Sequence, residues 1–273
     1  MNAGRTFRAV VLAGNRTQDD AVARSEGVAH KSLATVQGRP ILERVLNTLE
    51  ASPHIRDITL ITEQYSPLAT IDFIAARLNS ASLALHPARS SPAKSLLSLL
   101  SLQSKADYPL IVVSSDAAML DQPILEAFCS RANQSLKDLS IGFARETDIS
   151  ATFPATKRTY LRFSDGGYSG CNLFALSTPQ AQNAISFWVR AEHYRKKPLR
   201  LASIFGPRLL LSLAARRWPI STALDKVGHR LGLSAEPVIL PHAHAAIDVD
   251  SLDDLAAVRN LWAAREAKDT RPQ

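Results

Sequence analysis

The chain has 273 residues, 46% of them hydrophobic, enough to bury one substantial core, and its formal charge at pH 7 is +7. No run approaches the ~18 apolar residues that a membrane span needs, and the apolar stretch Ala9–Ala13 is too short for a secretory leader. Two cysteines, Cys129 and Cys171, lie outside any CxxC or Cys/His spacing, so neither a disulfide framework nor a zinc site is indicated; a cytoplasmic protein with core thiols is expected.

In chain order, Arg8–Ala13 (RAVVLA) is a β-branched apolar run ending at Gly14, the pattern of a buried first strand of a parallel sheet running into a loop. The polar segment Asn15–Ser32 follows. Pro40 then opens a helix with Ile41, Leu42, Val45, Leu46 and Leu49 at helical spacing. Asp57–Thr62 predicts a second strand, Thr70–Leu78 a helix, Ser82–His86 a short third strand and Ser95–Leu102 a helix after Pro92. Pro109–Val113 is the most hydrophobic strand and stops at Ser114, Ser115 and Asp116. This alternation predicts a three-layer α/β/α fold around a mostly parallel, Rossmann-like sheet. Reactive groups of such sheets gather at the carboxyl ends of the strands, so Gly14 to Lys31, Pro92 to Ser95 and Asp116 share one edge.

Downstream, a helix at Pro123–Arg131, a strand at Ser140–Arg145 and the run Tyr160–Phe163 precede a glycine-rich loop, Ser164–Asn172, after which Leu173–Leu176 resumes a strand. Gln180–Leu233 reads as helical, broken at Pro198, Gly206–Pro207 and Pro219. A strand at Pro237–Leu240, an acidic turn at Ile247–Asp254 and a closing helix to Ala267 complete the pattern. One domain over residues 1–273, with a helical insertion at 187–235, is the expected organisation.

Three constellations carry chemistry. Gly14 directly after the first strand lets backbone N–H groups approach a phosphate chain, and Lys31 beyond it neutralises a phosphoryl group. Asp116, at the end of the strongest apolar strand, suits Mg²⁺, which prefers hard oxygen ligands. Asp248 and Asp250 in AIDVDSLDDL share one face if that stretch is extended; if it begins a helix, Ser251 or Asp250 caps it. His242 and His244 just upstream read as solvated loop imidazoles rather than metal ligands.

Taken in order, VLAG at Val11–Gly14, Lys31, VQGRP at Val36–Pro40, VVSSD ending at Asp116, GGYSGCNLF at Gly166–Phe174 and IDVDSLDDL resemble the NTP-transferase superfamily of molybdenum-cofactor guanylyltransferases and sugar-phosphate nucleotidylyltransferases. The resemblance spans roughly residues 8–178 and 236–262. It implies the nucleotide-diphospho-sugar transferase fold and Mg²⁺-dependent transfer of NMP from an NTP, CTP or GTP, to a phosphorylated acceptor. Leu12, Ala13 and Gly14 would hold the nucleotide by backbone contact, Pro92 and Ser95 would close on its base, and Lys31 would steady the α-phosphate. Asp116, with Asp248 or Asp250, would bind Mg²⁺, and Gly170 and Asn172 would meet the acceptor. The chain departs from the family's glycine-rich signature, because Gly14 is followed by Asn15, Arg16 and Thr17. Arg16 or Arg24 then becomes the candidate triphosphate cation, with Arg16 the catalytic choice.

The basic character is local. Between Phe187 and Ala235 ten Lys or Arg face only Glu192 and Asp225, a net +8, whereas the rest of the chain nets −1. Such a segment, dense at Arg190–Arg200 and including Arg195, suits a phosphorylated small-molecule or lipid-linked acceptor, or an anionic membrane surface at the cytoplasmic face. The plainer reading is a helical subdomain with its Leu face on the core and its Arg and Lys outward, and a partner protein is a further alternative. Nucleic acid is not expected, since no stacking pattern or binding motif accompanies the charge. Two other readings stay open: a glycosyltransferase using Asp248-Val249-Asp250 as a DxD motif, and a non-catalytic nucleotide-binding or membrane-docking module.

Overall fold

A computed structural model describes residues 5–14, 20–63, 67–154, 158–194 and 207–269. Arg16 and Arg195 lie outside these residues, as does the middle of the basic segment. The strands are β1 (Phe7–Leu12), β2 (Thr35–Val36), β3 (Arg39–Pro40), β4 (Ile55–Thr62), β5 (Leu83–Pro87), β6 (Leu110–Ser114), β7 (Leu139–Arg145), β8 (Leu161–Phe163), β9 (Gly166–Leu176) and β10 (Ala235–Leu240). The α-helices are α1 (Ala21–Ser25), α2 (Ile41–Glu50), α3 (Asp72–Asn79), α4 (Pro92–Leu100), α5 (Gln122–Gln134), α6 (Glu146–Thr152), α7 (Gln182–Tyr194), α8 (Pro207–Ala214), α9 (Ile220–Leu231) and α10 (Leu252–Asp269). Among the described residues no helix is long and apolar enough to cross a membrane.

The main sheet runs β10-β7-β9-β6-β1-β4-β5, with β8 on β9. β1 pairs in parallel with both β4 and β6, β4 with β5 and β10 with β7, whereas β9 is antiparallel to β6, β7 and β8. Side-chain alternation along the strands divides the core into two layers. Ala9, Val11, Ile58, Leu60, Ile111 and Val113 pack with α2 and α5 on one face. Val10, Ile61, Leu110 and Val112 pack with Leu96, Leu99 and Leu100 of α4 and Ile185 of α7 on the other. Strands apolar on both sides are what a sheet covered by helices on both faces requires, and the α/β/α expectation holds.

Two local expectations change. Helix α4 starts at Pro92 rather than Ser95, because Ser91 caps it, accepting from Lys94 N–H, and Pro92 takes the first turn. The segment Ser164–Asn172 is not a loop. Ser164 and Asp165 make the turn of a β8–β9 hairpin, with Gly166 at φ 134°, and β9 runs from Gly166 through Asn172 to Leu176. The Asp-Gly pair is a hairpin signal, and Tyr168, 1% exposed, is buried behind it.

Candidate active site

The carboxyl ends of β1 and β6 open into a cleft of about 470 Å³. Leu12 and Gly14 line it from the end of β1, His30 and Lys31 from the next loop, Pro92 and Ser95 from α4, Asp116 from the turn after β6, and Asp248 and Asp250 from the turn before α10. These distant segments meet because a small apolar cluster lies beneath them: Val22, Ala34, Val36, Ile41, Ala118, Met119, Ile247, Val249, Leu255 and Val258. Backbone hydrogen bonds then fix their relative heights. Ser115 N–H donates to Leu12 C=O at 3.0 Å, and Val249 N–H donates to Asp116 C=O at 3.2 Å. Helix α10 adds two outer ties. Trp262 Nε1 donates to Ala118 C=O at 3.0 Å, and Arg259 forks onto the Glu26 carboxylate. Ser251 caps α10, accepting from Asp254 N–H at 3.2 Å, so the capping and carboxylate roles foreseen for this turn coexist.

Lys31 sits at the centre. Its ammonium is ion-paired with Asp116, lies 2.7 Å from Asp250 Oδ1 and donates to Val249 C=O at 3.1 Å. Burial disfavours the Lys31 charge, but Asp116 and Asp250 outweigh it, and the net effect holds the lysine above its ordinary pKa. The Ser114 hydroxyl donates to the other oxygen of Asp116.

Asp248 is engaged elsewhere. Arg158 donates to its Oδ1 at 2.5 Å and Asn172 Nδ2 to its Oδ2 at 2.8 Å. Burial raises the Asp248 pKa, Arg158 opposes that, and the Asp116 and Asp250 carboxylates add to it. Asn172 reaches Asp248 because β9 bulges. Ile141 pairs with Phe174 but Phe143 with Gly170, so β9 spends two more residues than β7 on this step, and Asn172 takes φ 51°. Asparagine tolerates that left-handed conformation better than most residues, and bulges re-aim side chains in this way.

The three carboxylates therefore do not form one metal cage. Among the described residues no group of three or more His, Cys, Asp or Glu side chains gathers to hold an ion. The donor set still suits a hard divalent cation. Oxygens of Asp116 and Asp250 converge on a single cationic nitrogen, which marks a point two carboxylates can share, and the Arg158–Asp248 pair lies beside them. Asp116 and Asp250 fit such an ion, while both oxygens of Asp248 already accept hydrogen bonds from Arg158 and Asn172.

Other sequence-read positions sort as follows. Ser95 lines the cleft but turns its hydroxyl to its own loop, accepting from Arg89 N–H at 2.8 Å and donating to Ser91 C=O at 2.8 Å, so it shapes the α4 entrance. Ala13 is buried in the core, 1% exposed. Arg24 on α1 and Gly170 on β9 are not among the residues lining the cleft. His244 is not a solvated imidazole: Arg265 donates to Asp121 Oδ2 at 3.0 Å and lies 2.7 Å from His244 Nε2, a latch between α10 and the start of α5. Sequence reasoning passed over Arg158, His30, Arg89, Phe174 and Trp188. The last four line the cleft, and Phe174 and Trp188 form an aromatic wall with centroids 6.5 Å apart.

A glycine turn, a lysine and paired carboxylates at the carboxyl edge of a mostly parallel sheet define a phosphate-handling α/β enzyme. Residues 9–215 match the MobA-like NTP transferase domain, and the chain belongs to that family; it is a nucleotidyltransferase. Among solved structures it is similar to a hypothetical transferase from Thermus thermophilus, with a TM-score of 0.73 and 26% identity, covering 92% of this chain and 99% of that one. It shares its fold with 4-diphosphocytidyl-2C-methyl-D-erythritol synthase from Anaerococcus prevotii (TM-score 0.58, 11% identity, 95% and 97% covered). The same holds for CMP:2-keto-3-deoxy-manno-octonic acid synthetase complexed with CTP (TM-score 0.55, 11% identity, 95% and 99% covered). No curated protein sequence matches the chain.

Proposed function

We propose that the chain transfers a nucleoside monophosphate from CTP or GTP to a phosphorylated acceptor in a Mg²⁺-dependent reaction that releases pyrophosphate. The observation that carries this reading is the Lys31 ammonium held between Asp116 and Asp250, in a cleft that Gly14 also lines.

An acceptor phosphate oxygen attacks the α-phosphorus in line. The new O–P bond forms as the bond to the β-phosphate oxygen breaks, and the electron pair leaves with pyrophosphate. No general base is needed, because a phosphate acceptor is ionised near neutral pH. Positioning and charge neutralisation supply the rate. Backbone at Leu12–Gly14 cradles the phosphates, and Lys31 turns from its carboxylates to the α-phosphate. Asp116 and Asp250 would hold Mg²⁺, which supplies charge neutralisation across the transferring phosphoryl group. Arg158 and Asn172 keep Asp248 in place beside them.

The cleft's far wall, from Asn172 and Phe174 to Trp188, is assigned to the acceptor. Trp188 belongs to the basic segment 187–235, which supports a role for that segment in acceptor choice. The split of Asp248 and Asp250 between different cations favours this reading over a DxD glycosyltransferase.

A thermal-shift screen of the four NTPs with Mg²⁺ tests it, since a ligand bound to the native state raises the melting temperature by mass action. One nucleotide should stand out in wild type. No shift with any NTP, or full turnover by Lys31→Ala and Asp116→Ala on an acceptor, would end the proposal.

A further inference from the structure

One cleft residue has no task in that mechanism. His30 is 2% exposed and forms part of the cleft wall together with Gly14, Asp20 and Lys31. Its Nδ1 accepts the Ser32 backbone N–H at 3.1 Å and lies 2.7 Å from the Ser32 hydroxyl oxygen. An amide can only donate, so Nδ1 must present its lone pair, and the single proton of a neutral ring then resides on Nε2. Burial keeps the ring neutral by lowering its pKa, with Glu63, Asp116 and Asp20 opposing and Lys31 reinforcing. That leaves Nε2–H as a fixed donor. It is buried and has no hydrogen-bond partner among the described residues.

Buried donors without acceptors are destabilising and uncommon, and one in a ligand cleft calls for a specific explanation. The surroundings supply it. His30 directly precedes Lys31, and the carboxylates Asp20 and Glu63 lie close enough to act on its charge. We infer that His30 is a nucleotide-positioning residue whose Nε2–H donates to an oxygen of the departing pyrophosphate portion of the NTP. The inference rests on the nucleotidyl-transfer reading and gives the site a neutral donor beside the lysine. It favours the triphosphate over the monophosphate without adding charge to the cleft.

The test is a long-range ¹H–¹⁵N imidazole spectrum of ¹⁵N-labelled protein, with the His30 signal identified by its loss in His30→Gln. The ligand-free protein should show the Nε2-protonated tautomer. Adding the nucleotide selected by thermal shift, with Mg²⁺, should move the Nε2 proton downfield, and the matching monophosphate should not. In titrations His30→Phe should bind the NTP about tenfold more weakly, the scale of one hydrogen bond to a charged acceptor. His30→Gln, which returns an N–H near the same place, should recover most of that loss.

An Nδ1-protonated ring, a His30 signal indifferent to bound NTP, or a His30→Phe protein that binds like wild type would overturn the assignment while leaving nucleotidyl transfer standing. Failure of every NTP to bind wild type would remove both. If His30→Phe does not fold, the wild-type spectrum decides alone.

Discussion

Lys31→Met removes the central charge while keeping a side chain of similar length, and its consequences follow from the geometry. Asp116, with 13% of its side chain exposed, loses the Lys31 ammonium and keeps the Ser114 hydroxyl; Asp250, 68% exposed, is largely screened by water. Exposed pairs are worth under about 1 kcal/mol and breaking a fully buried one costs ~3–5, so this intermediate case should cost about 2 kcal/mol. An unfolding entropy of about 2.1 cal/mol/K per residue over 273 residues converts that to a melting temperature lower by roughly 3–4 °C. The variant then removes the ammonium on which these two carboxylates converge. Mg²⁺ at a hundred times its dissociation constant would return about 2.7 kcal/mol, whereas in wild type it must displace the ammonium and should return less. Calorimetric melting with and without MgCl₂ at matched ionic strength reads both effects. Equal melting temperatures, or equal Mg²⁺ shifts in the two proteins, would refute the idea that Lys31 neutralises these carboxylates at rest.

Arg158→Met should cost about 3 kcal/mol, or roughly 5 °C, because Arg158 and Asp248 are 12% and 18% exposed and Asp248 would lose its guanidinium and keep the Asn172 amide. The deficit should shrink on acidification. A carboxyl whose folded pKa is raised contributes stability that is present below its unfolded value and lost as pH rises through the folded one, so the melting gap between variant and wild type should narrow as pH falls towards the ordinary carboxylate range and widen as it rises. Gly14→Ala should fold normally, since a Cβ there meets Ala88 Cβ at 3.4 Å and Glu63 Oε1 at 3.5 Å, ordinary contacts. Its NTP affinity should nevertheless fall; unchanged binding in a titration would show that the Gly14 backbone does not approach the phosphates. Cys129 and Cys171, both pushed up to about 12 by burial, hold roughly one thiolate in ten thousand at pH 8. They should resist iodoacetamide until denaturant is added, which intact-mass analysis would check.

Most of the layering was legible in the sequence, because strands buried on both faces must be apolar throughout and the runs at Val10–Leu12 and Leu110–Val113 are. Position along the sheet edge also followed from strand order, which brought Gly14, Lys31 and Asp116 together. The antiparallel β9 was half hidden: its glycines suggested a loop, and the bulge that aims Asn172 depends on pairing with β7, a contact no local pattern encodes. Arg158 was invisible for a similar reason, its partner lying 90 residues away. The two-residue spacing of Asp248 and Asp250 predicted a shared target, yet Arg158 and Lys31 draw them to different partners. His30 left a faint trace, a histidine beside the one loop lysine that mattered, but only its environment turns it into a donor without an acceptor.

Nucleotidyl transfer itself is tested most directly by ³¹P NMR of the wild-type protein with Mg²⁺, the NTP that raises its melting temperature and a set of phosphorylated acceptors. The predicted result is free pyrophosphate in step with a new pair of coupled phosphoanhydride signals, absent with Lys31→Ala. Release of inorganic phosphate alone, or bound NTP with no pyrophosphate across the whole set, would contradict the account.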